Sequence, residues 1–162
     1  MSNLERMLEL VETAFYDRDG ADGQITVDEH EREKLQAISQ LCLTEYNDGN
    51  GPAIWLLMVP TTQELMRRFV AGTIDEVTLL NQTPVGITYD ALYLCSAITL
   101  PEYRNRGLTL DLAAKTIKRI RNQHPVQTLF YWPFSEAGEK LARSLSVGQK
   151  IRSASKIWRH FW

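Results

Sequence analysis

The amino-acid sequence predicts an α+β fold, a single domain over residues 1–162 in which a mixed sheet is flanked by helices. Three observations carry this expectation. The chain has 162 residues, which is the size of one domain. A core of that extent buries about 70% of the unfolded surface and needs no staple. Helix-periodic stretches alternate with short apolar runs rich in β-branched and aromatic residues. One of those runs, ALYLCSAITL from Ala91 to Leu100, is apolar on both faces, as a central strand covered on both sides would be.

The first helix is expected over residues 3–16. Ser2-x-x-Glu5 is a capping box, and Leu4, Leu8, Val11 and Phe15 recur at helical spacing in an amphipathic pattern. A second helix runs from about Val27 to Gln40 with Leu35, Ile38 and Leu41 inward, and Thr26-x-x-Glu29 reads as its capping box. LCLTEY and PAIWLLMV flank NDGNG, a turn-forming run, and form a hairpin. Thr61-x-x-Glu64 caps a third helix, TTQELMRRFVAG, closed by Gly72, and DEVTLLN is a further short helical piece. Past the strand at 91–100, LTLDLAAKTIKRIRNQ is a long helix stopped at His124-Pro125, because proline cannot continue the backbone ladder. TLFYWPF is another strand, SEAGEKLARSLS a short helix capped by Ser135, and KIRSASKIWRHFW a strand or hairpin.

Composition narrows the function classes. There are 18 basic and 20 acidic residues and no long single-sign block, so a nucleic-acid footprint has no support and a small partner is indicated. Cys42 and Cys95 are too few and too far apart for a zinc pattern or a disulfide framework. Each lies in an apolar run, where a buried thiol is the default, and a reducing compartment follows. The N-terminus MSNLERMLELVE has no continuous apolar core of a signal peptide, and no run approaches the ~18 apolar residues of a membrane span. These features predict a cytoplasmic protein with no membrane partner. His30, His124 and His160 are isolated and read as structural or exposed.

The stretch DRDGADGQITVDE, Asp17 to Glu29, has the ingredients of an EF-hand. Such a loop needs ligands at positions 1, 3, 5 and 12 and glycine at 6. Counting from Asp17 places Asp19 at the third position but Ala21 at the fifth; counting back from Glu29 places Asp22 and Gly23 correctly but leaves Arg18 and Gly20 at the first and third. The two half-matches are out of register, so no metal is expected. Aspartate and glycine are ordinary turn residues, and the loop reads as an acidic helix connection.

The informative junction is TLPEYRNRGLTLDLA, where a buried strand passes through a turn bearing arginines and glycine into a helix. The first amides of a helix point at a ligand and its dipole adds partial positive charge. Gly107 would let the backbone approach phosphate oxygens, and Arg104 and Arg106 supply countercharge. With Thr99-Leu100-Pro101-Glu102-Tyr103-Arg104 followed by Asn105-Arg106-Gly107-Leu108-Thr109, the chain resembles the GNAT superfamily of acyl-CoA N-acyltransferases, whose pyrophosphate loop reads Q/R-x-x-G-x-G/A. Arg104 and Gly107 fall on that motif, and Thr109 departs from it. The order of elements is similar over most of residues 1–150.

The resemblance implies a GNAT-like, mostly antiparallel central sheet and transfer of an acetyl group from acetyl-CoA to a small-molecule or peptide amine by direct attack on the thioester. Ala97, Ile98 and Thr99 would offer backbone groups to the pantetheine arm of coenzyme A, and Arg104, Asn105, Arg106, Gly107, Leu108, Thr109 and Leu110 would surround its pyrophosphate. A strand amide near Ile98 would polarise the thioester carbonyl. The acid and base are less well matched. The short-helix motif N-x-x-A-x-x-x-Y falls on Ser135, Gly138 and Ala142, and Tyr93 stands where some members carry glutamate. Tyr131 and Tyr93 are the catalytic candidates, with Asp90 a further one through water. Asp17, Asp19 and Asp22 would overhang the acceptor end of the cleft and attract a cationic amine. A homodimer is compatible with this reading. A non-catalytic CoA-binding module of the same fold is its rival, and a calcium-binding helix-loop-helix protein the unrelated alternative.

Overall fold

The computed structural model describes residues 1–16, 23–132, 136–145 and 150–153. Among the described residues there are six α-helices, α1 (Asn3–Tyr16), α2 (Glu29–Ile38), α3 (Gln63–Val70), α4 (Glu76–Gln82), α5 (Leu108–Gln123) and α6 (Glu136–Leu145). Five strands, β1 (Leu43–Asn47), β2 (Pro52–Thr61), β3 (Ala91–Thr99), β4 (Thr128–Tyr131) and β5 (Lys150–Ser153), form one sheet in the order β1-β2-β3-β4-β5. The β1–β2 and β2–β3 ladders are antiparallel and are the longer ones, while β3–β4 and β4–β5 are parallel. The fold is α+β, a mixed sheet with helices on its faces.

Local chemistry sets the helix starts. The Ser2 amide donates to Glu5 Oε2 at 2.6 Å while Ser2 Oγ accepts from the Glu5 amide at 3.3 Å, so the first capping box forms as the sequence indicates. The second box shifts. Asp28, not Thr26, caps α2 and pairs with Glu31, because the Glu31 carboxylate gathers the amides of Thr26, Val27 and Asp28 around a left-handed Val27 (φ 57°). Likewise α3 is capped by Thr62 rather than Thr61, since Thr61 belongs to β2 and spends its hydroxyl on Thr83 at 2.7 Å. Asp75 caps α4 by accepting from the Thr78 amide at 2.7 Å. The long helix α5 stops at His124, held extended before Pro125. Ser135 lies outside the described residues, as does the tail beyond Ser153.

Strand alternation sends two sets of side chains to opposite faces. Leu57, Val59, Ala91, Tyr93 and Phe130 pack with Leu35 and Ile38 of α2, Leu65, Met66 and Phe69 of α3 and Leu79 and Leu80 of α4. On the other face Leu56, Met58, Leu92 and Leu129 meet Ala113, Ile117 and Ile120 of α5 and Leu145 of α6. Leu35 and Ile38 are buried as their spacing predicts, whereas Leu41 lies past the end of α2 and is buried in the cluster on the other face of the sheet. In α1 the buried face is a different one. Met7 is enclosed against Ala53 and Leu100, whereas Leu4 and Leu8 are exposed, because the contact is made through Asn3, Met7 and Leu10. Asn3 turns inward to donate to Asp48 Oδ1 in the hairpin turn, which fixes the rotation of the helix.

Candidate functional site

The sheet opens at the carboxyl end of β3. Its first residues pair on both sides, with Leu94 opposite Tyr131 as the last register position shared with β4. Beyond it, among the described residues, β3 pairs with β2 alone, through Ser96 to Thr99. A bulge marks the departure: Leu57 faces Ser96 and Met58 faces Leu94, so Cys95 is the extra residue. Burial changes along the same strand. Ala91, Leu92 and Tyr93 are enclosed, while Ser96, Ile98 and Thr99 are partly open and Ala97 is exposed. Among the described residues, a strand in the middle of the sheet thus presents an edge on the side where β4 has ended.

The chain then turns through a short 3₁₀ segment, Pro101–Tyr103, into the junction that the sequence singles out. Asn105 and Gly107 are both left-handed, at φ 57° and 74°, and Gly107 caps α5 with no side-chain bond of its own. The Asp111 amide makes the first helical bond, to the Gly107 carbonyl at 3.0 Å, so the amides of Leu108, Thr109 and Leu110 precede the ladder. A Cβ built at Gly107 meets nothing within 4 Å. Among the described residues, the space beside Gly107 is therefore open.

Two arginines border the turn and are also used within it. Arg104 Nε donates to the Thr99 carbonyl at 3.0 Å, and Arg106 donates to the Glu102 carbonyl at 3.4 Å with its guanidinium 5.5 Å from the Tyr103 ring centroid. The hydroxyl of Thr109 is 2.8 Å from that of Thr99 and ties the helix start to the strand end. Its side chain is therefore a brace, and the amide is what Thr109 has left to offer a ligand. The turn is held from behind by α1: Arg6 meets Glu102 with both carboxylate oxygens, at 2.5 and 2.7 Å, and the Tyr103 hydroxyl donates to Asp48. The Arg6 guanidinium holds the Glu102 carboxyl down at about 2, and the Tyr103 hydroxyl lowers Asp48 below the usual carboxylate range.

The remaining candidates separate. Tyr131 is half-buried at the point where β3 and β4 part. Tyr93 is enclosed, 4.8 Å from the Phe69 ring and 5.1 Å from the Phe130 ring, with its hydroxyl on Glu76 Oε1. Asp90, at the other end of β3, accepts from the Gln63 amide at 2.8 Å and serves the start of α3. Asp17, Asp19 and Asp22 lie outside the described residues. The exit of their loop is anchored: the Gly23 carbonyl accepts from the Val77 amide at 3.0 Å, and the Ile25 amide donates to Glu76 Oε2 at 2.9 Å. His30 is exposed, and His124 Nδ1 accepts from the Tyr89 amide at 3.4 Å.

Glu76 is the residue that sequence reasoning missed. It joins the loop exit, Tyr93 and, at 3.8 Å, the bulge thiol of Cys95. In the sequence it is one glutamate at the start of an apolar helical piece, with nothing local to mark it as buried. No family model, curated protein or solved structure matches this chain.

Proposed function

We propose that the protein is an acyl-CoA-dependent N-acyltransferase that moves an acetyl group from acetyl-CoA to an amine in the cytoplasm. The observation that carries this reading is the run of β3 past the last paired residue of β4, directly ahead of a helix start whose first amides precede the backbone ladder. An extended, amide-bearing chain would pair with the free edge at Ala97–Thr99, while a pyrophosphate would sit at Gly107–Leu110. Arg104 and Arg106 lie close enough to this turn to add positive charge, although both also brace it. The Thr99 carbonyl also accepts from Arg104. The open space at the Gly107 Cβ position supports this reading.

For the chemistry, the half-buried Tyr131 is the proton donor we assign to the departing thiolate, and Tyr93 supports the core beneath it. The aspartates at 17, 19 and 22 would raise the local concentration of a cationic acceptor. The alternative of a CoA-binding module without catalysis is favoured by two observations: Ala142 in place of the tyrosine acid, and the enclosure of Tyr93. Calorimetric titration with acetyl-CoA and CoA tests the shared element of both readings. Thiol release in the presence of a panel of primary amines then separates them. Absence of binding to either thioester or thiol removes both.

A further inference from the structure

Helix α1 carries two apolar rows, and only one of them is spent on the core. Asn3, Met7 and Leu10 form the inward row: Asn3 and Met7 are buried, and Leu10 packs against the cluster around Ala53 and Leu100. One residue further on, a second row of Leu4, Leu8 and Val11 is rotated by about 100° around the axis. Leu4 and Leu8 are 48% and 49% exposed. The spacing of this second row is that of a coiled-coil seam, since Met1, Leu4, Leu8, Val11 and Phe15 follow one another at intervals of three and four residues. In heptad notation Met1, Leu8 and Phe15 are a positions, and Leu4 and Val11 are d positions. Such a row is suited to receive another helix.

The two flanks of the seam differ, and the difference selects the partner. On one side the g position is Met7, closed off by the domain itself. On the other side the e positions are Glu5 and Glu12, both exposed, with Glu9 beside them. Glu5 is committed to the capping box with Ser2, whereas Glu9 and Glu12 make no ion pair among the described residues. Arg6, the single basic residue of α1, sits on the far flank and is bonded to Glu102. No positive charge of the helix therefore balances the acidic rim. A second copy of the chain is a poor occupant for the same reason. An antiparallel pair of copies sets e against e, acid against acid, and a parallel pair needs the g row, which is buried at Met7.

We propose that the seam of Leu4, Leu8 and Val11 docks an amphipathic helix of a partner protein, one with apolar a and d residues and with lysine or arginine beside them facing Glu12. Heptad spacing selects a helix, and the one-sided acidic rim selects a basic one. Because α1 is already folded and capped, only the partner must become ordered on binding. The inference is independent of the acyltransferase reading, since neither the β3 edge nor the turn ahead of α5 takes part.

The test uses the full chain and a fluorescein-labelled peptide of three heptads with Ile at a, Leu at d and Lys at e and g, whose own lysines oppose self-pairing. Two controls accompany it: the same peptide with Glu at e and g, and one of identical composition scrambled to break the heptad. Fluorescence polarisation is expected to show saturable binding of the lysine peptide, ~10-fold weaker binding of the glutamate peptide and none of the scrambled one. Leu8→Ser should weaken the lysine peptide ~10-fold, the scale of one apolar contact, and Glu12→Lys should weaken it ~3-fold while improving the glutamate peptide. Both side chains are exposed, so circular dichroism should show the parent fold, and Leu4→Ser repeats the test at a second exposed position. Several results would overturn the proposal: no saturable binding of the lysine peptide, equal binding of the scrambled or the glutamate peptide, unchanged affinity in Leu8→Ser and Leu4→Ser, or a dimer in light scattering that Leu8→Ser dissociates.

Discussion

The Tyr93 hydroxyl donates a 2.5 Å hydrogen bond to Oε1 of Glu76, and both side chains are sealed in the core, at 0% and 3% exposure. A carboxylate in such surroundings must be hydrogen-bonded, and its second oxygen accepts from the Ile25 amide. Glu76 thus links α4, the loop exit and the central strand. Tyr93→Phe removes one donor from this buried group and should cost ~1–3 kcal/mol in urea unfolding. Tyr131→Phe, half-buried at the open end of β4, should cost less than ~1 kcal/mol. Equal losses would contradict the placement of the two tyrosines. In an active enzyme the ranking should reverse for turnover, with Tyr131→Phe slower by ~100-fold.

Gly107 separates two effects that one substitution would mix. Its φ of 74° disfavours Val, while a Cβ there meets no atom of the protein. Gly107→Asn keeps access to the left-handed region and adds only bulk in the space a phosphate would use. Both variants should fold, the Val form with a stability loss of ~1–2 kcal/mol. Both should lose CoA binding at least ~10-fold by calorimetry. Unchanged affinity in Gly107→Asn would show that phosphate does not bind there.

The Arg6–Glu102 pair gives a pH signature. Bonding to Arg6 lowers the folded Glu102 carboxyl from 4.5 to about 2. A depressed acid stabilises the fold above its unfolded value, and that contribution is lost as pH falls through the folded value. The window therefore lies between the ordinary carboxylate range and about 2. Glu102 is exposed and Arg6 partly so, and salt should therefore weaken the effect. In Arg6→Ala, carbon-detected titration should move the Glu102 midpoint up toward 4.5. A midpoint that stays low would refute the pairing.

His124 should act in the same pH direction by another cause. Burial lowers its folded value below 6.5, so the folded state prefers the neutral ring. The unfolded chain protonates first as pH falls, and stability should drop from the ordinary histidine range downward. A further reason is geometric: Nδ1 accepts from the Tyr89 amide, and a proton on that nitrogen would face the same N–H. The urea midpoint measured at about pH 7.5 and pH 5.5 should fall less in His124→Asn than in the parent protein. An identical decrease would assign the pH dependence to other groups.

Local chemistry was legible in the sequence. The Ser2–Glu5 box, the turn at NDGNG, the arrest of α5 before Pro125 and the doubly covered start of β3 depend on neighbours within a few residues, and each forms. The turn ahead of α5 was legible for the same reason: Gly107 adopts the left-handed conformation that its type permits, and α5 begins after it. Where two local solutions competed, the sequence did not choose. Thr26 and Asp28 both suit a cap, and the choice of Asp28 came with the three amides collected by Glu31.

What the sequence by itself determined is the α+β class, the order of elements and the strand-turn-helix form of the junction at Arg104–Leu110. Only the tertiary structure decided which face of α1 is buried, that Glu76 goes inside, and that β3 leaves β4 after Leu94. The physical reason is separation along the chain. Asn3 reaches Asp48, Arg6 reaches Glu102 and Glu76 reaches Tyr93 across intervening elements, so no local periodicity encodes them. The opening of the sheet likewise rests on β4 ending at Tyr131 while β3 runs on to Thr99, a difference in length that acquires meaning only when the two strands are aligned.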